Sequence, residues 1–315
     1  MIGIVIPNFN GVKHLDVCFR SLSEQSYSGF NVLLIDNNSA DDSVEFVKKY
    51  YPEVEIIVNP ENYGFAKAVN IGINRFLDSG CDYILLLNND IECDKNFVSE
   101  MVKGFVSDNI GSIACKMINY YNRDTIDSAG DFIKRKGSPY ARGHGELDNG
   151  QYDKPEYIFG TCAGAALYKA EVFQKVGLFD EDFFAYYEDV DMDLRMQLMG
   201  YKCWYNPKAV CWHKRGATIK SRIGYETMLC EKNLVAFRLK NYPMSLYIKY
   251  QVFFTAGRML RYYGILRHVS VKTFFMAIYG YLLGLLKSPE NIMKRKHIHN
   301  NKIISNNDFE KLFTD

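Results

Sequence analysis

One stretch of the sequence combines a fully apolar segment with a cluster of amide and carboxylate side chains. Residues 83–87 show no polar alternation, which is typical of a strand buried on both faces in the middle of a parallel sheet. The side chains that follow are Asn88, Asn89, Asp90 and Glu92. Ligands of open α/β sheets bind beyond the carboxyl ends of the strands, so this cluster would hold a hard cation and a phosphate. A plain turn is the alternative, because Asn and Asp favour turns.

Strand and helix patterns alternate before this stretch. Strands are predicted at residues 2–6, 30–35 and 55–58, and helices at residues 13–25 and 65–77, with a further helix after the second strand. Such βαβ units build a parallel sheet with helices on both faces. The expected fold class is therefore α/β, with a Rossmann-like, mostly parallel central sheet. The 315 residues leave room for an appendage.

Polar clusters occur at the ends of the predicted strands, in the turns that lead into the next helices. They contain Asn8 and Asn10, Asp36, Asn62 and Gly64, and the residues from Asn88 to Glu92. Each cluster alone is compatible with turn chemistry. Because all of them would meet at one edge of the sheet, a single ligand explains them better, and a nucleotide has the right length.

A second chemical cluster combines aromatic and acidic residues. Residues 183–187 are mostly aromatic and lead into a helix predicted to end near Gly200. The acids at its start are Glu188, Asp189, Asp191 and Asp193. Acids in the first turn of a helix interact favourably with the helix dipole, and this would explain their presence without a functional role. An acid beside an apolar wall also suits a general base in a substrate pocket.

His213 follows a predicted short strand at residues 209–212. A single histidine in this position is often only a structural side chain, but it becomes a natural additional ligand if Asp90 binds a metal. The eight cysteines are scattered without a C-x-x-C pair, which argues for free thiols and against a thiolate zinc site.

The C-terminal region has a different character. Between residues 232 and 302 the chain carries thirteen lysines and arginines and one acid, Glu290, so its partners are expected to differ from those of the acidic remainder. Aromatic residues interleaved with this charge suit helices lying on an anionic membrane surface. A helical appendage packed on the main domain or on a second copy is the alternative. No motif supports nucleic-acid binding, and no apolar run predicts a spanning helix.

Taken together, these blocks make the chain resemble the family 2 glycosyltransferases, which have a GT-A fold, and within them the rhamnosyltransferase-like branch. The resemblance covers roughly residues 1–240. It rests on residues 4–11, 34–43, 62–70 and 86–90, on the acidic cluster from Phe184 to Arg195, and on His213. The resemblance implies a catalytic domain at 1–224, with a nucleotide half at 1–95 and an acceptor half at 96–224. A basic helical region at 225–296 and a flexible tail at 297–315 are expected to follow.

The resemblance also implies site residues. Asp189 would be the catalytic base, and Asp90 with His213 would bind Mg²⁺ or Mn²⁺. Asn88 stands where the family's metal motif has its first aspartate, so its amide would be a weaker ligand. Glu188 and Asp191 would be acceptor-side or helix-start acids. The nucleotide pocket would contain Pro7, Asn10, Asp36, Asn62, Gly64, Asn88 and Asn89.

The function implied is inverting transfer of a sugar, with L-rhamnose a candidate, from a dTDP- or UDP-linked donor to a growing cell-surface glycan or a lipid-linked acceptor. The enzyme would be cytoplasmic and peripheral at the inner face of the cell membrane, without nucleic acid, and an oligomer is compatible with the sequence. A nucleotidyltransferase is an alternative, but a Gly-rich triphosphate loop is missing near the N-terminus. A non-catalytic module that binds a sugar nucleotide or a glycan is the other alternative function.

Overall fold

The computed structural model describes residues 1–135, 137–215 and 223–314. Their strands form one large sheet and one small sheet. The strands are β1 (Ile2–Asn8), β2 (Phe30–Asp36), β3 (Glu55–Val58), β4 (Tyr83–Leu87), β5 (Ile91–Cys93), β6 (Ile110–Asn119), β7 (Ile126–Ser128), β8 (Asp131–Lys134), β9 (Pro139–Ala141), β10 (Glu156–Ile158), β11 (Ala165–Lys169), β12 (Lys202–His213) and β13 (Phe313–Thr314).

The helices surround the large sheet and continue into the C-terminal region. They are α1 (Val12–Ser23), α2 (Ser43–Tyr50), α3 (Gly64–Asp78), α4 (Phe97–Lys103), α5 (Ala170–Val176), α6 (Glu188–Leu198), α7 (Ile223–Asn241), α8 (Met244–Lys249), α9 (Gln251–His268), α10 (Val271–Leu286), α11 (Ser288–Asn300) and α12 (Asn306–Glu310). A short 3₁₀ helix, Glu181–Phe183, precedes α6.

The first half of the large sheet is parallel, with the strand order β4-β1-β2-β3. In register, Val5 lies beside Leu33 on one side and beside Leu86 on the other. Successive side chains alternate between two buried faces, one packed on α1, α2 and α4 and the other on α3, α5 and α6. This arrangement confirms the predicted α/β class and brings the carboxyl ends of four strands to one edge.

The second half of the sheet is mixed. β11 runs antiparallel between β4 and β6, and β12 is parallel to β6. The short strand predicted at 209–212 is in fact the end of β12, which is 12 residues long. The register shifts between Asn206 and Val210, around Pro207, because Pro lacks a backbone N–H and disturbs the ladder. That interruption made the strand look shorter in the sequence.

The C-terminal helices pack on the main domain through α7, which contacts α6, α10 and α11. Gly280 and Gly284 allow α10 to approach closely, since a Cβ atom on Gly280 would lie 2.1 Å from the carbonyl oxygen of Met228. Within the described residues, no helix combines the length and the apolar character needed to cross a membrane.

Much of the basic charge in this region points into the protein. Lys240 is buried, and its Nζ atom lies 2.6 Å from Asp180 and 2.8 Å from Asp191. Glu231 of α7 pairs with two arginines of α9. Part of the charge asymmetry of the sequence is therefore balanced by ion pairs within the chain. A membrane surface or a second subunit as the partner of this region stays a prediction.

The chain end differs from the expected flexible tail. α11 extends to Asn300, α12 follows, and β13 pairs in parallel with β8. Phe309 is 0% exposed, and its ring centroid lies 5.1 Å from that of Tyr242. The polar composition of residues 297–315 concealed these apolar anchors, which dock the chain end on the main domain.

Phe309→Ala is expected to lower the free energy of unfolding by about 3–5 kcal/mol, the usual cost of truncating a buried aromatic side chain. Urea or thermal unfolding of the full chain measures this loss. Met293→Ala is the matched control, because Met293 is 69% exposed. Equal stability of the Phe309 variant and the wild type would show that the chain end contributes nothing.

Candidate active site

A cleft of about 490 Å³ opens beyond the carboxyl end of β4. Its wall includes the turn after β4, the end of β12 and the first turn of α6. The predicted site residues on this wall are Asn88, Asp90, Glu188, Asp189 and His213. The two polar clusters that lie about one hundred residues apart in the sequence therefore face one cavity.

The predicted nucleotide residues Pro7, Asn10, Asp36 and Asn89 lie at the ends of β1, β2 and β4. Asp36 is 1% exposed and accepts hydrogen bonds from Asn8 Nδ2 at 2.8 Å and from the hydroxyl of Ser39 at 2.6 Å. Asn8 in turn accepts a hydrogen bond from Asn89 Nδ2 at 2.6 Å. These bonds tie three strand ends together, and a contact of Asp36 with the nucleoside stays a prediction.

Asn62 and Gly64 form the start of α3. The backbone N–H of Gly64 donates to Asn62 Oδ1 at 2.9 Å. Gly64 has φ +76°, and a Cβ atom there would lie 2.4 Å from the carbonyl oxygen of Phe184. A side chain would therefore be strained and would collide with the aromatic segment before α6, so only glycine suits this position.

Asp90 and His213 lie side by side, with Asp90 Oδ1 3.3 Å from His213 Nε2. The other ring nitrogen, Nδ1, lies 2.7 Å from Asp127 Oδ2. Asp127, at 2% exposed, thus orients the ring toward Asp90. Burial lowers the pKa of His213, but the hydrogen bonds with Asp127 and Asp90 outweigh it and raise that pKa to about 9.

This pair has the chemistry of a divalent cation site. A carboxylate oxygen and an imidazole nitrogen face one cavity at a spacing close to that of neighbouring ligands around a small octahedral ion. Asn88, from the same turn, also lines the cavity and offers an amide oxygen. The partner at the second ring nitrogen is typical of metal-binding histidines. The residues present therefore fit Mg²⁺ or Mn²⁺.

Asp189 lies in the first turn of α6, facing the same cleft. Its carboxylate accepts from the backbone N–H of Val190 at 2.8 Å and of Ala163 at 3.4 Å. Burial raises the pKa of Asp189, and these N–H groups offset part of that effect. A carboxylate with raised basicity in a cleft is suited to proton abstraction.

The neighbouring acids differ in their environments. Glu188 lines the cleft, and burial together with the charge of Asp189 raises its pKa well above the usual value. Asp191 is 0% exposed and points away, toward Arg195 at 2.9 Å and Lys240 at 2.8 Å. Asp191 was expected to be either an acceptor-side acid or a helix-start acid. Its carboxylate has partners inside the protein, which fits a structural role at the helix start.

The segment before α6 is conformationally strained. Phe184, Tyr186 and Tyr187 have φ angles of 65°, 69° and 72°, a region that non-glycine residues rarely adopt. Asn233 of α7 holds this segment, since its Nδ2 atom lies 2.8–3.0 Å from three of its carbonyl oxygens. The aromatic wall of the cleft therefore depends on the C-terminal region.

Three functional candidates escaped the sequence analysis, namely Asp127, Asp131 and Asn233. Asp127 and Asp131 belong to the polar, Gly-rich segment 123–155, in which β8 and β9 form a hairpin. Asp131 also lines the cleft. The sequence offered one signal for Asp127 and Asp131, namely that acidic residues occur in a Gly-rich segment.

In EDTA, His213→Gln is expected to lower the thermal stability by several degrees below pH 6.5. The raised pKa of His213 means that its protonated, paired form stabilises the fold fully below about 6.5, and that this contribution is lost as the pH rises through about 9. Thermal unfolding from pH 6 to 10 measures the difference. The exposed His297, changed to Gln, is the control, and a pH-independent difference would contradict the ion pair.

Comparison with known proteins identifies the fold and family. Residues 3–177 match the family described as glycosyl transferase family 2. The N-acetylglucosaminyl-diphospho-decaprenol L-rhamnosyltransferase of Mycobacterium tuberculosis is 25% identical over 240 residues, which cover 68% of this chain and 76% of that protein.

Solved structures show the same architecture. The mannosyltransferase PcManGT from Pyrobaculum calidifontis, in complex with GDP-Man and Mn²⁺, has a TM-score of 0.56 at 14% identity, covering 95% of this chain and 85% of that one. TarS from S. aureus, in complex with UDP, has a TM-score of 0.58 at 13% identity, covering 98% and 91%. The match to residues 3–177 spans more than half of the chain. The protein therefore has a GT-A fold and belongs to glycosyl transferase family 2.

Proposed function

We propose that this glycosyltransferase is inverting and metal-dependent, and that it transfers a sugar from a dTDP- or UDP-linked donor to a hydroxyl group of a glycan or lipid-linked acceptor. The observation that supports this most is the shared cleft: the proposed cation-binding pair, Asp90 and His213, and the proposed base, the half-buried Asp189, line one cavity. A binding module would need no base at this place, and a nucleotidyltransferase would need a triphosphate loop.

In this mechanism Asp189 accepts the proton of the acceptor hydroxyl as that oxygen attacks the anomeric carbon. The bond between this carbon and the diphosphate oxygen breaks, the configuration inverts, and no covalent enzyme intermediate forms. Asp90 and His213, with Asn88, would hold Mg²⁺ or Mn²⁺, which when bound neutralises charge on the departing diphosphate. The aromatic segment before α6 lines the cleft and gives it an apolar wall.

The proposed donor is a nucleoside diphosphate sugar. L-rhamnose is the first candidate, because the mycobacterial relative is named as a rhamnosyltransferase acting on a lipid-linked sugar. The solved structures contain GDP-Man with Mn²⁺ and UDP, which supports a nucleoside diphosphate donor with a divalent ion. The strand ends around Asn10, Asp36 and Asn62 are the proposed nucleotide pocket.

Release of free nucleoside diphosphate tests this proposal, using dTDP-rhamnose, UDP-glucose, UDP-galactose and GDP-mannose with Mn²⁺, Mg²⁺ or EDTA. One donor should be hydrolysed slowly even without acceptor, and EDTA should abolish turnover. Asp189→Asn should lower the rate by about 100-fold or more while nucleotide affinity is retained, because the amide cannot take a proton.

Asp124→Asn is the matched control, since Asp124 is an exposed acid on a loop. If all four donors bind and none is turned over with any glycan acceptor, the binding-module alternative is favoured. Absence of nucleotide binding would refute the proposed function. Turnover unaffected by Asp189→Asn would remove the base from the mechanism.

We also propose that the enzyme is cytoplasmic and rests peripherally on the inner face of the membrane, where a lipid-linked acceptor would be found. α10 exposes an apolar stripe on the side opposite Gly280 and Gly284, at positions three or four residues apart. The stripe contains Val271, Phe275, Tyr279, Leu282 and Leu286. α9 adds exposed Phe253, Leu260 and Tyr263. The exposed basic residues Arg267 and Lys272 border the turn between both helices, which suits an anionic surface.

Co-sedimentation with vesicles of phosphatidylcholine, with and without phosphatidylglycerol, tests this contact. The wild type should bind the anionic vesicles more strongly than the neutral ones. The double change Phe275→Ser and Tyr279→Ser should reduce binding about tenfold or more, because two aromatic rings that would be buried in the membrane interface are lost. Tyr121→Ser is the control, since Tyr121 is 73% exposed elsewhere on the surface. A wild-type dimer that becomes monomeric in the double variant, without vesicle binding, would assign the stripe to a second copy.

A further inference from the structure

Asp131 is a buried carboxyl group that the proposed mechanism leaves unused. It is 8% exposed and lines the cleft beside Asp189. Its backbone is fixed, because its N–H donates to the carbonyl of Gly160 at 2.9 Å and its carbonyl accepts from the N–H of Gly160 at 3.1 Å. Among the described residues, no hydrogen bond or ion pair is found for its carboxyl group, which lies near Cys162 and Asp189.

A carboxyl group that faces the cleft and has no partner among the described residues is available to bind a ligand. Burial, and then the neighbouring charge of Asp189, raise the pKa of Asp131 well above the usual range. This shift favours the protonated form of the carboxyl group, which can both donate and accept a hydrogen bond. Sugar hydroxyl groups have this same dual character.

The spacing indicates what the two carboxyl groups hold together. Ligand atoms of Asp131, Cys162 and Asp189 all lie within 4.8 Å of one another. Two adjacent hydroxyl groups of a pyranose ring span such a gap, each at hydrogen-bonding distance from one carboxyl group. A cation fits less well, because burial raises the pKa of Cys162 and keeps its thiol protonated.

We propose that Asp131 is an acceptor-binding residue, which hydrogen-bonds the hydroxyl group next to the one that Asp189 deprotonates. The acceptor is then a sugar with two adjacent free hydroxyl groups at the site of attachment. This inference rests on the proposed function, since it assigns Asp189 as the base. It adds a substrate requirement that the cation pair and the base do not themselves impose.

The test compares sugar transfer with donor hydrolysis in the same reaction. The donor is the one identified by nucleoside diphosphate release, and the acceptors are the p-nitrophenyl glycosides of α-L-rhamnose, β-D-glucose, β-D-galactose and N-acetyl-β-D-glucosamine. Asp131→Ala should lower the ratio of transfer to hydrolysis by about tenfold or more through a raised acceptor KM, because a buried hydroxyl loses its partner. Asp131→Asn, which keeps a donor and an acceptor, should restore part of this ratio.

A deoxy acceptor lacking the adjacent hydroxyl provides the second arm. With it, Asp131→Ala should have little further effect, as a double-mutant cycle between residue and hydroxyl requires. Asp124→Ala is the control and should leave the ratio unchanged. An unchanged ratio in Asp131→Ala, or an equal loss with the deoxy acceptor, would overturn the inference. Hydrolysis without transfer to, or inhibition by, any of the four sugars would also overturn it. Absence of donor turnover in the wild type, both with and without acceptor, would count against the proposed function instead.

Discussion

The wall of the cleft at the start of α6 depends on the buried carboxylate of Asp191. Its carboxylate meets Arg195 of its own helix, and Lys240 and Asn241 of α7. Arg195 also donates to two carbonyl groups near the end of α5, and Lys240 pairs with the loop before the 3₁₀ helix. A buried charge that lost these partners would be strongly destabilising. The network therefore fixes α6 against α7, and the position of Asp189 at the start of α6 follows from it.

The edge of the sheet at the ends of β1, β2 and β4 is organised differently, because there the strand ends are joined by neutral amides and one carboxylate. Asn8, Asp36 and Asn89 connect these strands through short hydrogen bonds, none of which involves the C-terminal region. This edge is therefore determined locally, whereas the cleft wall at the start of α6 depends on contacts between distant segments.

This difference explains what the sequence could predict. Strand periodicity and polar strand ends are local patterns. The first half of the sheet and the position of Asp90 at the end of a strand could therefore be predicted from the sequence. Asp127 and Asp131 were not, because their burial arises from pairing of β7 with β6 and of β8 with β9, in a segment of turn-forming composition. The inward direction of Lys240 was equally hidden, since its acid partners lie about 50 and 60 residues away.

The strained segment before α6 has a consequence for the evolution and redesign of specificity. Three residues of this segment have left-handed backbone angles, and the amide of Asn233, which belongs to another part of the chain, holds the segment by donating to the carbonyl groups of Phe183, Ala185 and Tyr186. The same segment transplanted from a relative without the matching face of α7 would relax to ordinary backbone angles. The segment and α7, which begins at Ile223, consequently form one structural unit that would have to be exchanged together.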